Sequence, residues 1–330
     1  MLTLTLACAA YDRTRPLIDG RVAIEGVGLR TTTLHPEAAF ARAKAAEFDL
    51  TELSLSGYVR SLDTGNPAYV ALPIFPSRAF RHSGIYVHAG KGIRSPSDLR
   101  GRIIGTPDYK TTANVWIRAF LAHDHGVQSH QIQWVEAAME AGEPGPAAAT
   151  AVPGIPILAL PDQDLAGMLA SGDIDAVIGA KVPSCFGAGQ DAVVRLFPDH
   201  QRIEQDYYRR TGFFPIMHVL GLRRALHERH PWLAEAVCRG FDAARRMALQ
   251  DIRDVCQLAA TLPWVTAEYQ RTVDLMGEDY WPYGLDANRD VLRAFALYHF
   301  QQGLSARLHA PGDWLAPVNF SSNRVTTRSA

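Results

Sequence analysis

The chain has 330 residues, 47% hydrophobic and 20% charged, with 33 basic against 34 acidic side chains and a formal charge of −1. That balance excludes the basic footprint that nucleic acid or an anionic membrane surface would call for, and the ordinary apolar content excludes global disorder. The length exceeds what one core usually serves, so two domains or lobes are expected.

Met1–Cys8 alternates Leu2, Leu4 and Leu6 with Thr3 and Thr5, the period of a half-buried strand. With no Lys or Arg ahead of it, the run reads as the first strand and not as a lipoprotein signal. No stretch approaches the ~20 apolar residues of a membrane span. Tyr11–Gly20 is a polar loop leading to a strand-like run from Val22. Pro36 opens a helix reaching Ala46, and Phe48–Ser54 reads as a strand ending in small polar residues. Ser95–Gly101 predicts a capped short helix, Arg102–Gly105 a buried strand and Thr106–Thr112 a loop. Ala113–Leu121 follows as an amphipathic helix with Trp116, Ile117, Phe120 and Leu121 on one side. Residues 139–153 form an exposed Pro/Gly/Ala-rich loop, Leu165–Ser171 a helix and Ile174–Gly179 a strand. Beyond about Ala225 the chain is helix-rich, with helices over Pro231–Asp251 and through Asn288–Leu304.

This alternation predicts an α/β fold with a mainly parallel sheet. The strand-poor final third is expected to pack back on the first unit. The first lobe is then discontinuous, 1–84 with 206–330, and the second lobe is 85–205. A ligand cleft between them would lie at the carboxyl ends of the strands. Cys8, Cys185, Cys238 and Cys256 form no C-x-x-C pair, which argues against a zinc site or disulfide framework and for a reducing, cytoplasmic setting.

The loop and helix start at Thr111 and Thr112 form a candidate anion site, where hydroxyls, free amides and the helix dipole favour negative charge; simple capping is the competing reading. Phe75–His82 holds Arg78, Arg81 and His82 beside Phe75 and Phe80, which suits a planar carboxylate, unless it is a solvated loop. His218 lies in an apolar run, either as a satisfied core residue or as a proton-transfer group. Glu52 and Ser54 end a strand with the same ambiguity. Lys181, one of only four lysines, follows the strand 174–179 at a carboxyl end. No G-x-G-x-x-G, P-loop, G-x-S-x-G or H-E-x-x-H occurs, so no cofactor is expected and no metal ligands are assigned, with metal assistance left open.

Two phrases, Ser95-x-x-Asp98-Leu-Arg-Gly-Arg-Ile-Ile-Gly105 and Gly172-Asp-Ile-Asp-Ala-Val-Ile-Gly179, resemble the second lobe of type II periplasmic-binding-protein folds. Tyr11-Asp-Arg-Thr-Arg15, Gly105-Thr-Pro-Asp-Tyr109, Ala113-x-Val-Trp-Ile-Arg118, Val182-Pro-Ser-Cys-Phe186, Phe214-Pro-Ile-Met-His218 and Trp281-Pro-Tyr-Gly-Leu-Asp-Ala-Asn288 together resemble the 4,5-dihydroxyphthalate decarboxylase family. The resemblance implies a two-lobed periplasmic-binding-protein-like fold carrying a cofactor-free carboxy-lyase that converts 4,5-dihydroxyphthalate to protocatechuate. That chemistry needs cations for two carboxylates, a base near the phenol and a proton donor at the ring carbon. His218 is the expected donor, with His82 second; Glu52 or Lys181 would manage the phenol. The expected substrate-binding set is Arg13, Ser54, Arg78, Arg81, Tyr109, Thr111, Thr112, Lys181 and Ser184. The expected partner is a small aromatic carboxylate, with no nucleic acid or membrane, and self-association is left open. The alternative is a non-catalytic binding protein for an aromatic or dicarboxylic acid, which would share the fold. A transcriptional effector domain is disfavoured, because no helix-turn-helix or basic patch precedes the first lobe.

Overall fold

A computed structural model describes residues 1–187 and 192–318. Residues 188–191 and 319–330, assigned above to the second and first lobes, lie outside the described residues. The strands are β1 Leu2–Cys8, β2 Val27–Thr33, β3 Leu50–Ser54, β4 Tyr69–Arg78, β5 Ile85–His88, β6 Ile103–Thr106, β7 Gln133–Ala138, β8 Ile157–Asp164, β9 Ala176–Ile178, β10 Val193–Arg195 and β11 Ile216–Arg223. The helices are α1 Arg15–Ile18, α2 Pro36–Ala43, α3 Leu55–Ser61, α4 Thr112–His125, α5 Leu165–Ser171, α6 His200–Thr211, α7 Arg224–Arg229, α8 Leu233–Arg253, α9 Val265–Met276, α10 Arg289–Gln301 and α11 Pro311–Trp314. Among the described residues, no helix is long and apolar enough to cross a membrane.

The strands form two sheets, ordered β2-β1-β3-β11-β4 and β10-β5-β9-β6-β7-β8. Each has a parallel block, β2-β1-β3 in the first and β9-β6-β7-β8 in the second. Antiparallel strands extend each block, β11 and β4 in one sheet and β5 and β10 in the other. The expectation of a mainly parallel sheet thus holds for the blocks and not for the strands that extend them. The chain passes from one sheet to the other through short connections at 79–84 and through α6, and a strand reached that way runs back against its neighbour.

In β1, Leu4 and Leu6 enter the core while Thr5 bonds Asp49, as the alternation predicted. The strand expected from Val22 starts at Val27, because Gly26 first turns the backbone at a φ of 73°. Pro36 occupies the first turn of α2, and α5 spans the residues expected of it. In α8, Leu233, Val237, Phe241, Ala244 and Ala248 form one buried stripe.

Phe75–His82, for which a solvated loop was the competing reading, begins inside strand β4, which holds Pro73 and Pro76. Both prolines are tolerated because β4 is an edge strand. They also sit in a bulge: between the pairs Leu220–Leu72 and His218–Ser77, two steps along β11 face five along β4. The carbonyls freed there are taken up elsewhere. Gly284 N donates to Pro73, Trp281 Nε1 to Phe75 and Arg13 Nε to Pro76, at 2.8, 2.9 and 2.6 Å.

Helix α4 is longer than predicted, and its first ten residues are all buried. It follows β6 of the second sheet yet docks on the first. Thr112 Oγ1 accepts from Ser56 N at 3.0 Å, and Trp116 Nε1 donates to Ile216 O at 3.0 Å. Gln302, just beyond α10, accepts from Arg118 Nε and donates to Val115 O, both at 2.9 Å. Burial on two faces explains why a one-sided stripe understated this helix.

Candidate active site

The ends of β3 and β11 form the floor of a cavity of about 960 Å³ that reaches across to the start of α4. The antiparallel register sets His218 opposite Ser54 and Leu220 opposite Glu52. Glu52 and His218 are therefore diagonal neighbours on one face, within reach of each other's side chains. His218 Nδ1 lies 2.6 Å from Glu52 Oε1, and the same oxygen accepts from the Tyr11 hydroxyl at 2.7 Å. Glu52 Oε2 accepts from Ala9 N at 3.2 Å. Burial pushes the Glu52 carboxyl up, but the hydrogen bond and charge of His218, with the Tyr11 and Ala9 donors, outweigh it and hold it below the usual carboxylate range. Burial and the Glu52 charge push the Tyr11 phenol far above its ordinary value, so it remains a donor.

An ionised carboxylate only accepts, so His218 keeps a proton on Nδ1 whatever the state of Nε2. Its Nε2 makes no hydrogen bond among the described residues, and the side chain, 16% exposed, lines the cavity. The edge of Phe40 packs on the imidazole at 4.9 Å. The result is an imidazole oriented by a buried carboxylate, an arrangement able to transfer a proton at the cavity face.

The walls supply cations. The Arg81 guanidinium is largely buried, and its Nε meets only Met217 Sδ, at 3.3 Å. It forms no ion pair among the described residues; burial disfavours its charged form, and the charge of nearby Glu204 offsets part of that. Opposite, Lys110, Thr111 and Thr112 border the cavity. Thr112 Oγ1 also bonds Ser54 Oγ at 3.0 Å, joining the two walls. The loop before α4 is held from below: Glu136 accepts from Tyr109 N at 2.7 Å and from Thr150 N at 2.8 Å. At the opening, Lys181 bridges Glu143 at 3.2 Å and Glu37 of α2 at 3.5 Å.

Of the residues expected from sequence, Ser54, Arg81, Thr111, Thr112, Lys181 and His218 border one cavity, and Glu52 lies directly behind His218. Five lie elsewhere. Arg78 follows Ser77 in a strand, so it faces the other way; it is buried and donates to the carbonyls of Phe214 and Pro282 and to Asn288 Oδ1. His82 is stacked on Phe120 at 4.1 Å, and burial, with cationic neighbours, pushes it down to about 4. It is a core imidazole and not a donor to a ligand. Tyr109 is fully buried, its ring 3.5 Å beneath the Arg118 guanidinium. Ser184 bonds Glu140 on the second lobe's surface. Arg13 sits behind Tyr11 and does not border the cavity. Lys181, expected near the phenol, is engaged by two carboxylates instead. Sequence reasoning missed Tyr11, Phe40, Ser77, Lys110 and Met217. Tyr11 stood in a quoted motif and Lys110 among four scarce lysines, whereas nothing marked Phe40 in a plain helix.

No family model matches the chain. It is 41% identical over 327 residues to the 4,5-dihydroxyphthalate decarboxylase of Comamonas testosteroni, covering 98% of this chain and 99% of that one. Over 215 residues it is 43% identical to the 4,5-dihydroxyphthalate decarboxylase of Pseudomonas putida, covering 64% of this chain and 83% of that one. Among solved structures it is similar to the periplasmic aliphatic sulphonate binding protein of Escherichia coli, with a TM-score of 0.54 at 13% identity and coverage of 96% and 98%. That likeness establishes the two-lobed periplasmic-binding-protein-like fold and nothing of the ligand.

Proposed function

The chain belongs to the 4,5-dihydroxyphthalate decarboxylase family, and from that premise we propose how its cavity removes one carboxylate from 4,5-dihydroxyphthalate. The carboxylate that leaves is para to a ring hydroxyl. That hydroxyl gives its proton to solvent, electrons move toward the carboxylate-bearing carbon, and this carbon takes a proton from Nε2 of His218 in its doubly protonated, imidazolium form. The resulting dienone breaks its carbon–carboxylate bond, the electron pair returns to the ring as phenolate, and carbon dioxide leaves. The phenolate regains a proton, giving 3,4-dihydroxybenzoate; one proton enters and one carbon dioxide departs per turnover. Glu52 offsets the charge of the imidazolium before it donates, and Tyr11 holds Glu52 in place. Arg81 grips the carboxylate that stays, and Lys110 with the start of α4 faces the opposite end of the ring.

The observation that carries this reading is the 2.6 Å contact between Glu52 and His218 with Nε2 open to the cavity. A passive binding site has no need of a proton-transfer group backed by a buried carboxylate. A cytoplasmic setting belongs to the same proposal, supported by four free cysteines. Carbon dioxide release and ultraviolet spectra of the purified protein with 4,5-dihydroxyphthalate test it. Turnover to 3,4-dihydroxybenzoate that His218→Gln abolishes is expected; saturable binding without turnover would make the chain a receptor.

A further inference from the structure

Two quoted motifs, Tyr11-Asp-Arg-Thr-Arg15 and Trp281-Pro-Tyr-Gly, have no direct part in the proton transfer above, yet they meet at one side chain. The Arg13 guanidinium lies between two rings, 4.2 Å from the centroid of Tyr11 and 4.1 Å from that of Trp281. Its Nε donates to Pro76 O in the β4 bulge at 2.6 Å, and its Nη1 pairs with Asp12 at 2.9 Å. Trp281 is itself fixed by its Nε1 on Phe75 O and by the ring of Phe214 at 5.3 Å. Tyr11 is the ring of this stack that borders the cavity, and its hydroxyl rests on the Glu52 oxygen that His218 shares.

From this geometry we infer that Arg13 is a positioning residue: clamped by Trp281 and the bulge, it fixes Tyr11 on Glu52 and so holds the His218 ring with Nδ1 on the carboxylate and Nε2 toward the cavity. A guanidinium suits the place because it is planar on both faces and still donates in its own plane, which an ammonium cannot do. Without the clamp Tyr11 is free to turn from Glu52. The carboxylate oxygen then loses one of its two donors, and the imidazole loses the constraint on its orientation.

The inference rests on the reading of His218 as proton donor, and the test separates the two. Arg13→Met and Arg13→Lys are compared with the wild-type protein by steady-state kinetics on 4,5-dihydroxyphthalate and by the nitrogen NMR signals of His218 without substrate. The expected result is a fall in kcat of roughly 10–100-fold, typical of groups that orient a reacting side chain, with KM within about twofold and no rescue by lysine. The His218 signals should pass from one tautomer to a mixture. A raised KM at unchanged kcat would return Arg13 to the substrate-binding role expected from sequence and overturn the inference. Unchanged kinetics and unchanged His218 signals would reduce the stack to structure. If the wild-type protein does not turn over, the decarboxylase reading falls while the NMR comparison still decides the role of Arg13. Should Arg13→Met not fold, Trp281→Leu loosens the clamp from its other side and is expected to move the same signals.

Discussion

Replacing Glu52 by glutamine removes one charge from behind His218 at nearly constant volume. The carboxylate is fully buried, and its Oε1 lies 2.6 Å from Nδ1. With charge centres about 4 Å apart and an effective dielectric near 20, the pair attracts by about 4 kcal/mol. A glutamine carbonyl keeps part of that through a neutral hydrogen bond worth about 1 kcal/mol. The remainder, roughly 2–3 kcal/mol, is stabilisation of the protonated imidazole that the variant lacks. It corresponds to a loss of roughly 30–150-fold in kcat. KM should change little, because Glu52 does not border the cavity. Initial rates of carbon dioxide release over a range of substrate concentrations give both constants, and a thermal melt reports whether the variant is folded. A folded Glu52→Gln protein with kcat within twofold of the wild type would refute the assignment of Glu52 as the counter-charge.

Arg81→Gln should raise KM by roughly 10–100-fold with a smaller effect on kcat, the loss of one or two charge-assisted hydrogen bonds to an anion; an unaltered KM would move the anion grip elsewhere. Stability should fall on mild acidification, because burial holds His82 and His299 at about 4 and about 3. Their unfolded imidazoles take up protons near pH 6.5, so the unfolded state binds more protons between about pH 6.5 and those folded values, and stability declines across that window by a few kcal/mol. Denaturant melts at pH 7.5, 6 and 5 measure the slope, and His82→Phe should flatten it; an identical slope would mean that His82 is protonated in the fold. Glu52, held below its usual range, adds to the decline only below about pH 4.5.

The sequence carried the fold further than the site. Alternation in β1, proline at the start of α2 and the short apolar helix α5 are local signals, and locally they were right. Strand β4 was not assigned from sequence; it holds two prolines that are tolerated only at an edge, and edges are defined only once the sheet exists. That omission propagated. Without the strand, Ser77 and Arg78 had no assigned faces, and the arginine was sent to the wrong side. Glu52 and His218 were each noticed, but 166 positions separate them, and only the register of β11 on β3 makes them partners. Histidine and arginine also invite functional readings by residue type alone, whereas His82 and Arg78 are distinguished by what surrounds them, Phe120 in one case and main-chain carbonyls in the other.

The docking of α4 bears on how the cleft behaves between turnovers. The helix belongs to one sheet by connectivity and to the other by its hydrogen bonds to Ser56, Ile216 and Gln302. Parting the walls along this seam would strand buried donors and acceptors, at about 1–3 kcal/mol for each left without a partner. The wall at Thr112 and the floor at His218 are therefore expected to keep a nearly constant spacing whether the cavity is filled or empty. The exposed Lys181 pairs with Glu37 and Glu143 at the outer mouth cost little to part, so movement is expected there first. In a site held this way the geometry of the facing groups is set during folding and would not need to be remade at each encounter.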